Sequence, residues 1–256
     1  MELVVMTSEK FSEIKNELIN VVVEFEQTER KIQFLNSTYL LEFYNELEQQ
    51  RYLQYENEYL IKAIAMSSDG KTEAEIKEFL EQCRKEFDGQ MQNFYRQHQL
   101  AKELEHQISM FTKEDIESLD LEFIEYCSLH HPLVNLYATI IEKNLYSTLI
   151  SLYRLGNITG YKNFIKEFSS SFTTVEIPVE EYEKVVKIYQ ETILHLKNAI
   201  QQKKQEFPLN KEDIFYKEEL LTRELMYLRE KNYKAREMNK SLQKDFKLHF
   251  TFEFSL

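Results

Sequence analysis

Apolar side chains recur along this chain mostly at alternating intervals of three and four residues, the spacing that lines one face of an α-helix. Ile14, Leu18, Val21, Phe25, Thr28, Ile32 and Leu35 form such a seam, with one polar interruption, and predict a helix over residues 8–35. The seam breaks near Asn36-Ser37-Thr38. A second helix is expected over 39–66, closed by the turn Ser67-Ser68-Asp69-Gly70. Thr72 and Glu75 have the spacing of a capping box, in which hydroxyl and carboxylate each meet a free amide. The helix they open is expected to run to about His106, with Leu80, Phe87, Phe94, Ala101 and Ile108 seven residues apart. Thr112 with Asp115 predicts a shorter helix through Leu129, stopped at His130-His131-Pro132 because proline disfavours helical geometry in the residue before it. Further helices are expected over 136–155, between Gly156-Asn157 and Phe168, and beyond Pro178. In the last of these, Tyr182, Val185, Val186, Tyr189, Ile193, Leu196, Ala199 and Ile200 share a stripe. After Phe207-Pro208-Leu209-Asn210, strict sevens at Ile214, Leu221, Leu228, Ala235 and Leu242 predict left-handed winding on the preceding helix.

The two ends read differently. Residues 1–6 are β-prone, and 248–256 alternate, with Leu248, Phe250, Phe252, Phe254 and Leu256 on one side. Two short terminal strands are expected, pairing with each other or, for the second, adding to a partner's sheet edge.

Composition narrows the class. Only 4 Gly and 3 Pro occur in 256 residues, too few for the tight turns of a sandwich, a barrel or an α/β enzyme. Hydrophobic residues at 43% supply enough surface to bury, which excludes a wholly disordered chain. The net charge, 32 − 44 = −12, repels phosphate backbones, and no Lys/Arg run exceeds Lys203-Lys204, so nucleic acid is not an expected partner. No apolar stretch approaches the ~20 residues that span a bilayer, so no membrane is expected, and the N-terminus lacks the basic flank of a signal peptide. Cys83 and Cys127 form no CxxC pair and read as reduced, buried thiols of a cytoplasmic protein.

Candidate chemistry is sparse. There is no Gly-rich phosphate loop, no His-Glu-x-x-His and no Gly-x-Ser-x-Gly, so no enzyme activity and no cofactor are expected. Cys127 and His130 have a metal-ligand spacing, but no second Cys/His cluster completes a site. Glu103-x-x-His106 is half of a di-iron helix motif whose counterpart is missing, because Glu191 and His195 stand four apart. It reads as a solvated helix face, and no metal is expected. Tyr39, Tyr44, Tyr52, Tyr55 and Tyr59 could stack bases, but Glu42, Glu46, Glu48, Glu56 and Glu58 among them favour interface packing.

Residues 123–135, Phe-Ile-Glu-Tyr-Cys-Ser-Leu-His-His-Pro-Leu-Val-Asn, resemble the second helix and following loop of a J domain, the DnaJ-type module that engages DnaK-type chaperones. They are most similar to a bacterial group of helical J-proteins with a Leu-His-Pro-Asp-Leu-Asn-like loop. Leu152-Tyr153, Gly156-Asn157 and the helix to Phe168 stand where that group has an Ala-Tyr pair, a Gly-Asp turn and a leucine-rich helix. The likeness of pattern runs from about Phe25 to Phe246. Two departures bear on function. Leu133 replaces the aspartate of His-Pro-Asp, whose carboxylate is central in the family to activating the chaperone's ATPase. The stretch 114–130 holds Glu114, Asp115, Glu117, Asp120, Glu122 and Glu125 and no Lys or Arg, where family members present a basic docking helix. Like charges facing an acidic chaperone would cost several kcal/mol.

The resemblance therefore implies J-like packing without the standard docking chemistry. The expected fold is all-α, an elongated antiparallel helical or coiled-coil scaffold with a small J-like unit and short terminal strands. Its parts are a long-helix region (1–110), the J-like unit (111–172), a helical hairpin (173–247) and a strand-like tail (248–256). The expected function is a non-enzymatic adaptor; the alternative is an active co-chaperone of a non-standard DnaK-type partner. Partners would be proteins, a DnaK-type chaperone or a second copy among them. The candidate partner-binding residues are His131, Pro132 and Leu133 in the loop, with Glu122 and Glu125 on the acidic helix.

Overall fold

A computed structural model describes the backbone of residues 2–109, 113–173 and 177–256. Over these residues the chain is all-α. The helices are α1 (Glu2–Glu42), α2 (Tyr44–Ser68), α3 (Glu73–Ser109), α4 (Lys113–His130), α5 (Ile140–Arg154), α6 (Ile158–Phe168), α7 (Tyr182–Gln205) and α8 (Glu218–His249). Short 3-10 turns occupy Ser169–Ser171, Val179–Glu181 and Leu209–Phe215. None of the helices among the described residues is long and apolar enough to cross a membrane.

The chain divides into two compact units. The first comprises Met1–Asn36 and Glu103–Glu212, the second Ser37–Lys102 and Asp213–Leu256. In the first unit, Phe11, Leu18, Val21 and Val22 of α1 belong to one core with Leu119, Phe123 and Cys127 of α4 and Tyr146, Leu149 and Tyr153 of α5. Ile158 and Tyr161 of α6 and the α7 stripe from Val185 to Ile200 complete it. Each such side chain contributes about 1.5–3 kcal/mol by leaving water. Ring geometry adds to this: Phe123 stacks on Tyr153 with centroids 3.6 Å apart, and Phe11 on Tyr182 at 4.0 Å.

In the second unit, Ile76, Leu80, Cys83, Phe87, Met91 and Phe94 of α3 are buried with Tyr59, Leu60 and Ala63 of α2 and Phe246 of α8. The Thr72 and Glu75 capping box forms as the spacing predicts, at 3.3 Å and 2.8 Å. The α2 tyrosines are occupied by protein packing: Tyr44 stacks on His98 at 3.7 Å, and Tyr52 and Tyr55 meet Phe87 edge-on. Two buried asparagines tie α2 to α8. Asn57 Nδ2 donates to the Ala235 carbonyl (2.9 Å) and Asn232 Nδ2 to the Glu46 carbonyl (2.8 Å).

Four local expectations are corrected. The terminal strands are not seen: α1 is already helical from Glu2, and the tail after Phe250 is irregular. Phe250 and Phe254 are nevertheless buried, with Gln243 Nε2 donating to the Phe254 carbonyl (2.9 Å). A period of two serves any extended segment laid on an apolar surface, and here Gln243 and Arg84 donate to two of the tail's carbonyls, those of Phe254 and Ser255. Second, α1 continues through Asn36-Ser37-Thr38 and breaks at Phe43, where φ −114° and ψ 18° leave the helical range. The intrinsic penalty of those three residues is a few tenths of a kcal/mol each, which packing overrides. Third, α5 starts at Ile140 and not at 136, because Thr139 caps it. Fourth, Leu209–Phe215 is a 3-10 turn and α8 starts at Glu218, so Ile214 precedes the last helix. The predicted Thr112–Asp115 cap lies outside the described residues.

Candidate functional site

The loop between α4 and α5 is the segment on which the sequence concentrates its candidate residues. α4 buries Leu119, Phe123 and Cys127, four residues apart, so its opposite face carries Leu121, Ile124 and Glu125 into solvent. Pro132 cannot continue the helix, and the chain turns through Val134 and Asn135, whose amides both donate to the His131 carbonyl (2.8 and 2.7 Å).

His131 points inward. It is 6% exposed, and the amide of Leu133 donates to its Nδ1 at 3.0 Å. That bond leaves the proton of the neutral ring on Nε2, which lies 3.7 Å from Glu26 Oε1, while the ring meets Tyr146 edge-on. Glu26 is 3% exposed and also accepts from Arg154 Nε at 2.6 Å. Burial pushes the Glu26 carboxyl upward, but the interactions with His131 and Arg154, including the Arg154 charge, outweigh it and hold the group below its ordinary range. The result is a buried Glu26 carboxylate bridging α1 to the loop and to the last turn of α5.

The other end of the loop is held as firmly. Thr139 and Glu142 form a full capping box, and the second oxygen of Glu142 accepts from the amide and hydroxyl of Thr173 (2.7 and 2.6 Å). These hydrogen bonds from Thr173 and Thr139, that of the Thr173 hydroxyl foremost, lower the Glu142 carboxyl to about 2. Asn135 Nδ2 donates to the Thr173 carbonyl (3.1 Å), and Tyr189 of α7 donates to the Val134 carbonyl (2.6 Å). Asp120, in the acidic stretch, also points inward: it accepts from Arg30 and, at 2.9 Å, from the Tyr153 hydroxyl.

The candidate residues are thus split. His131, Pro132 and Leu133 share one tightly held turn, with the imidazole buried and the Leu133 side chain packed against the core. Glu122 is half-buried and within 3.5 Å of the Ser118 hydroxyl, whereas Glu125 is exposed on α4. Cys127, fully buried, has its thiol pushed by burial up to about 12, far from a reactive thiolate. Among the described residues, no group of three or more His, Cys, Asp or Glu is placed to hold a metal ion.

Glu26, Arg154, Glu142, Thr173 and Tyr189 are the partners that sequence reasoning missed. Two signals for them were readable. Glu26 follows Leu18 and Val22 at intervals of four, a carboxylate on an otherwise apolar face, and Thr139-Ile-Ile-Glu142 has capping-box spacing. Comparison of the chain with protein-family models, with curated proteins and with solved structures gave no match.

Proposed function

We propose that this chain is a non-enzymatic adaptor of the cytoplasm. In this reading, the J-like α4–α6 unit binds other proteins through its outer helix faces, and the long helices serve as a coiled-coil-like scaffold. The observation that carries the reading is the inward turn of His131. The residue that the J-domain resemblance would place at a chaperone surface is spent on Glu26 and on the Leu133 amide. Leu133 offers no carboxylate, and Glu125 keeps the exposed side of α4 acidic. The same unit leaves Leu121 69%, Ile140 78% and Ile141 71% exposed. Apolar side chains this exposed are suited to docking other proteins.

The test has two arms. Purified chain added to a DnaK-type chaperone should leave its ATPase rate unchanged. Stimulation that is lost in His131→Gln would instead establish the alternative reading, an active co-chaperone of a non-standard partner. In co-purification from the native host, Ile140→Glu with Ile141→Glu should lose proteins that the unaltered chain retains. Identical retained sets would defeat the adaptor reading.

A further inference from the structure

The segment after α8 sits on the second unit as a bound peptide would. Residues 250–256 belong to no helix or strand, and Phe250 closes α8 in extended geometry (φ −131°, ψ 149°). Beyond it, Phe252, Phe254 and Leu256 pack against the core of this unit, while Thr251, Glu253 and Ser255 are exposed.

The track beneath is laid down mainly by α3. The Thr251 hydroxyl donates to Glu73 (3.1 Å), which also pairs with Lys77 (2.8 Å). Lys77 Nζ lies 4.6 Å from the centre of the Phe252 ring. The Arg84 guanidinium lies 5.6 Å from that of Phe254 and donates to the Ser255 carbonyl at 2.5 Å. The contacts thus advance along α3 in chain order. Eleven helical residues cover about 16 Å and four extended ones about 13 Å, so the two rises are close. Gln243 of α8 closes the other side, its Nε2 donating both to Glu56 of α2 and to the Phe254 carbonyl, each at 2.9 Å.

Each contact reads something that many extended chains supply: rings at alternate positions, cations over those rings, and carbonyls met by side-chain donors. Other ties in the unit do not involve the tail. Asn57 and Asn232 join α2 to α8, and Tyr52 and Tyr55 of α2 meet Phe87 of α3.

We propose that this track is a receptor for an extended segment of a partner protein with aromatic residues at alternate positions, and that the tail fills it in cis until such a segment displaces it. A second copy's tail is a poor occupant. Because it is joined to α8, the cis tail acts at an effective concentration of millimolar order, so an identical tail on another molecule loses to it below that concentration. Only a segment that binds more tightly than the tail takes the track. The proposal does not rest on the adaptor reading, since α4–α6 belong to the other unit.

Fluorescence anisotropy of a labelled, amidated peptide, Thr-Phe-Glu-Phe-Ser-Leu, tests this on the full chain. Exchange with the native tail should be half complete at about 1 mM peptide, whatever the intrinsic affinity. Phe254→Ala weakens the cis tail by about 100-fold, so the peptide should half-saturate that variant at a concentration at least ~10-fold lower. Adding Arg84→Ala removes a cation and a carbonyl donor from the track and should raise that concentration again by about 10-fold. A peptide with its rings adjacent, Thr-Phe-Phe-Glu-Ser-Leu, should not compete, because neighbouring side chains of an extended segment face opposite ways. Binding to Phe254→Ala no tighter than to the native chain, indifference to Arg84→Ala, or equal binding of the adjacent-ring peptide would each overturn the proposal.

Should Phe254→Ala lose helical circular dichroism, Ser255→Cys decides instead. That position is exposed and the native thiols Cys83 and Cys127 are buried, so a dye attaches at residue 255. Unlabelled peptide should free the dyed tail and lower its anisotropy with a midpoint near ~1 mM; no change up to about 5 mM overturns the proposal equally. A dimer at about 100 μM that the peptide dissolves would make a second copy the occupant, against the partner segment.

Discussion

Arg154→Met tests whether the buried Glu26 carboxylate is what holds the α4–α5 loop. The substitution keeps most of the side-chain volume and removes the 2.6 Å hydrogen bond to Glu26, which is left 3% exposed with only His131 beside it. Breaking a buried pair by removing one partner costs about 3–5 kcal/mol. The Arg154 side chain is 32% exposed, and solvent screening lowers the expectation to about 2–3 kcal/mol. At 1.36 kcal/mol per decade, opening of the core becomes about 30- to 150-fold more frequent.

Cys127 reports on that opening from within the same core. In a Cys83→Ala background, its labelling by a thiol reagent is referred to the rate in denaturant, which cancels intrinsic thiol reactivity. The pH dependence gives a second, independent readout. In the native chain the folded Glu26 pKa lies below the ordinary 4.5, so its contribution is present above that pH and is lost as pH falls through the lowered value. In Arg154→Met the carboxyl loses its cation while keeping its burial, so its folded pKa moves upward and acidification relieves the penalty. The labelling ratio of variant to native chain should therefore decline between pH 7.5 and 5. A ratio below about threefold at pH 7.5, well short of the expected coupling, would refute the reasoning, as would a ratio that grows on acidification.

Other outcomes follow from the same contacts. Glu142 is held at about 2 by its Thr173 and Thr139 donors, so its share of stability is lost as pH falls from 4.5 toward 2. Glu142→Gln should flatten the acid limb of a urea-midpoint profile over that interval. Gly89 lies within α3 with open space around an added Cβ, and Gly89→Ala should raise stability by about 0.5–1 kcal/mol in denaturant titration. Gly160→Ala should do the reverse by about 1 kcal/mol, since its Cβ would come within 2.9 Å of the Asn157 side chain that caps α6. Phe254→Ala should cost about 3 kcal/mol in unfolding of the second unit, because that ring is 6% exposed in its core. An unchanged midpoint would show that the tail contributes nothing.

Much of the helical content was legible because burying a stripe imposes a period on the residues themselves. The α7 stripe, the α3 sevens from Leu80 to Ala101 and the Thr72–Glu75 cap lie where spacing puts them, since each is decided within a few turns of one helix. The tail shows the limit of that logic. Alternation at Phe250, Phe252 and Phe254 reports an extended backbone with one buried side, which a strand and an irregular segment on a helical surface satisfy equally.

The candidate loop shows a second limit. His131 before proline looks the same whether its ring faces solvent or core, and the choice was made by Glu26, 105 positions earlier, and by Arg154, 23 later. By itself the sequence determined that the chain would be helical, where its apolar faces lie and that Leu133 carries no carboxylate. Only the tertiary structure decided which polar groups those faces enclose, because the free energy of a buried charge depends on partners that chain proximity does not bring together.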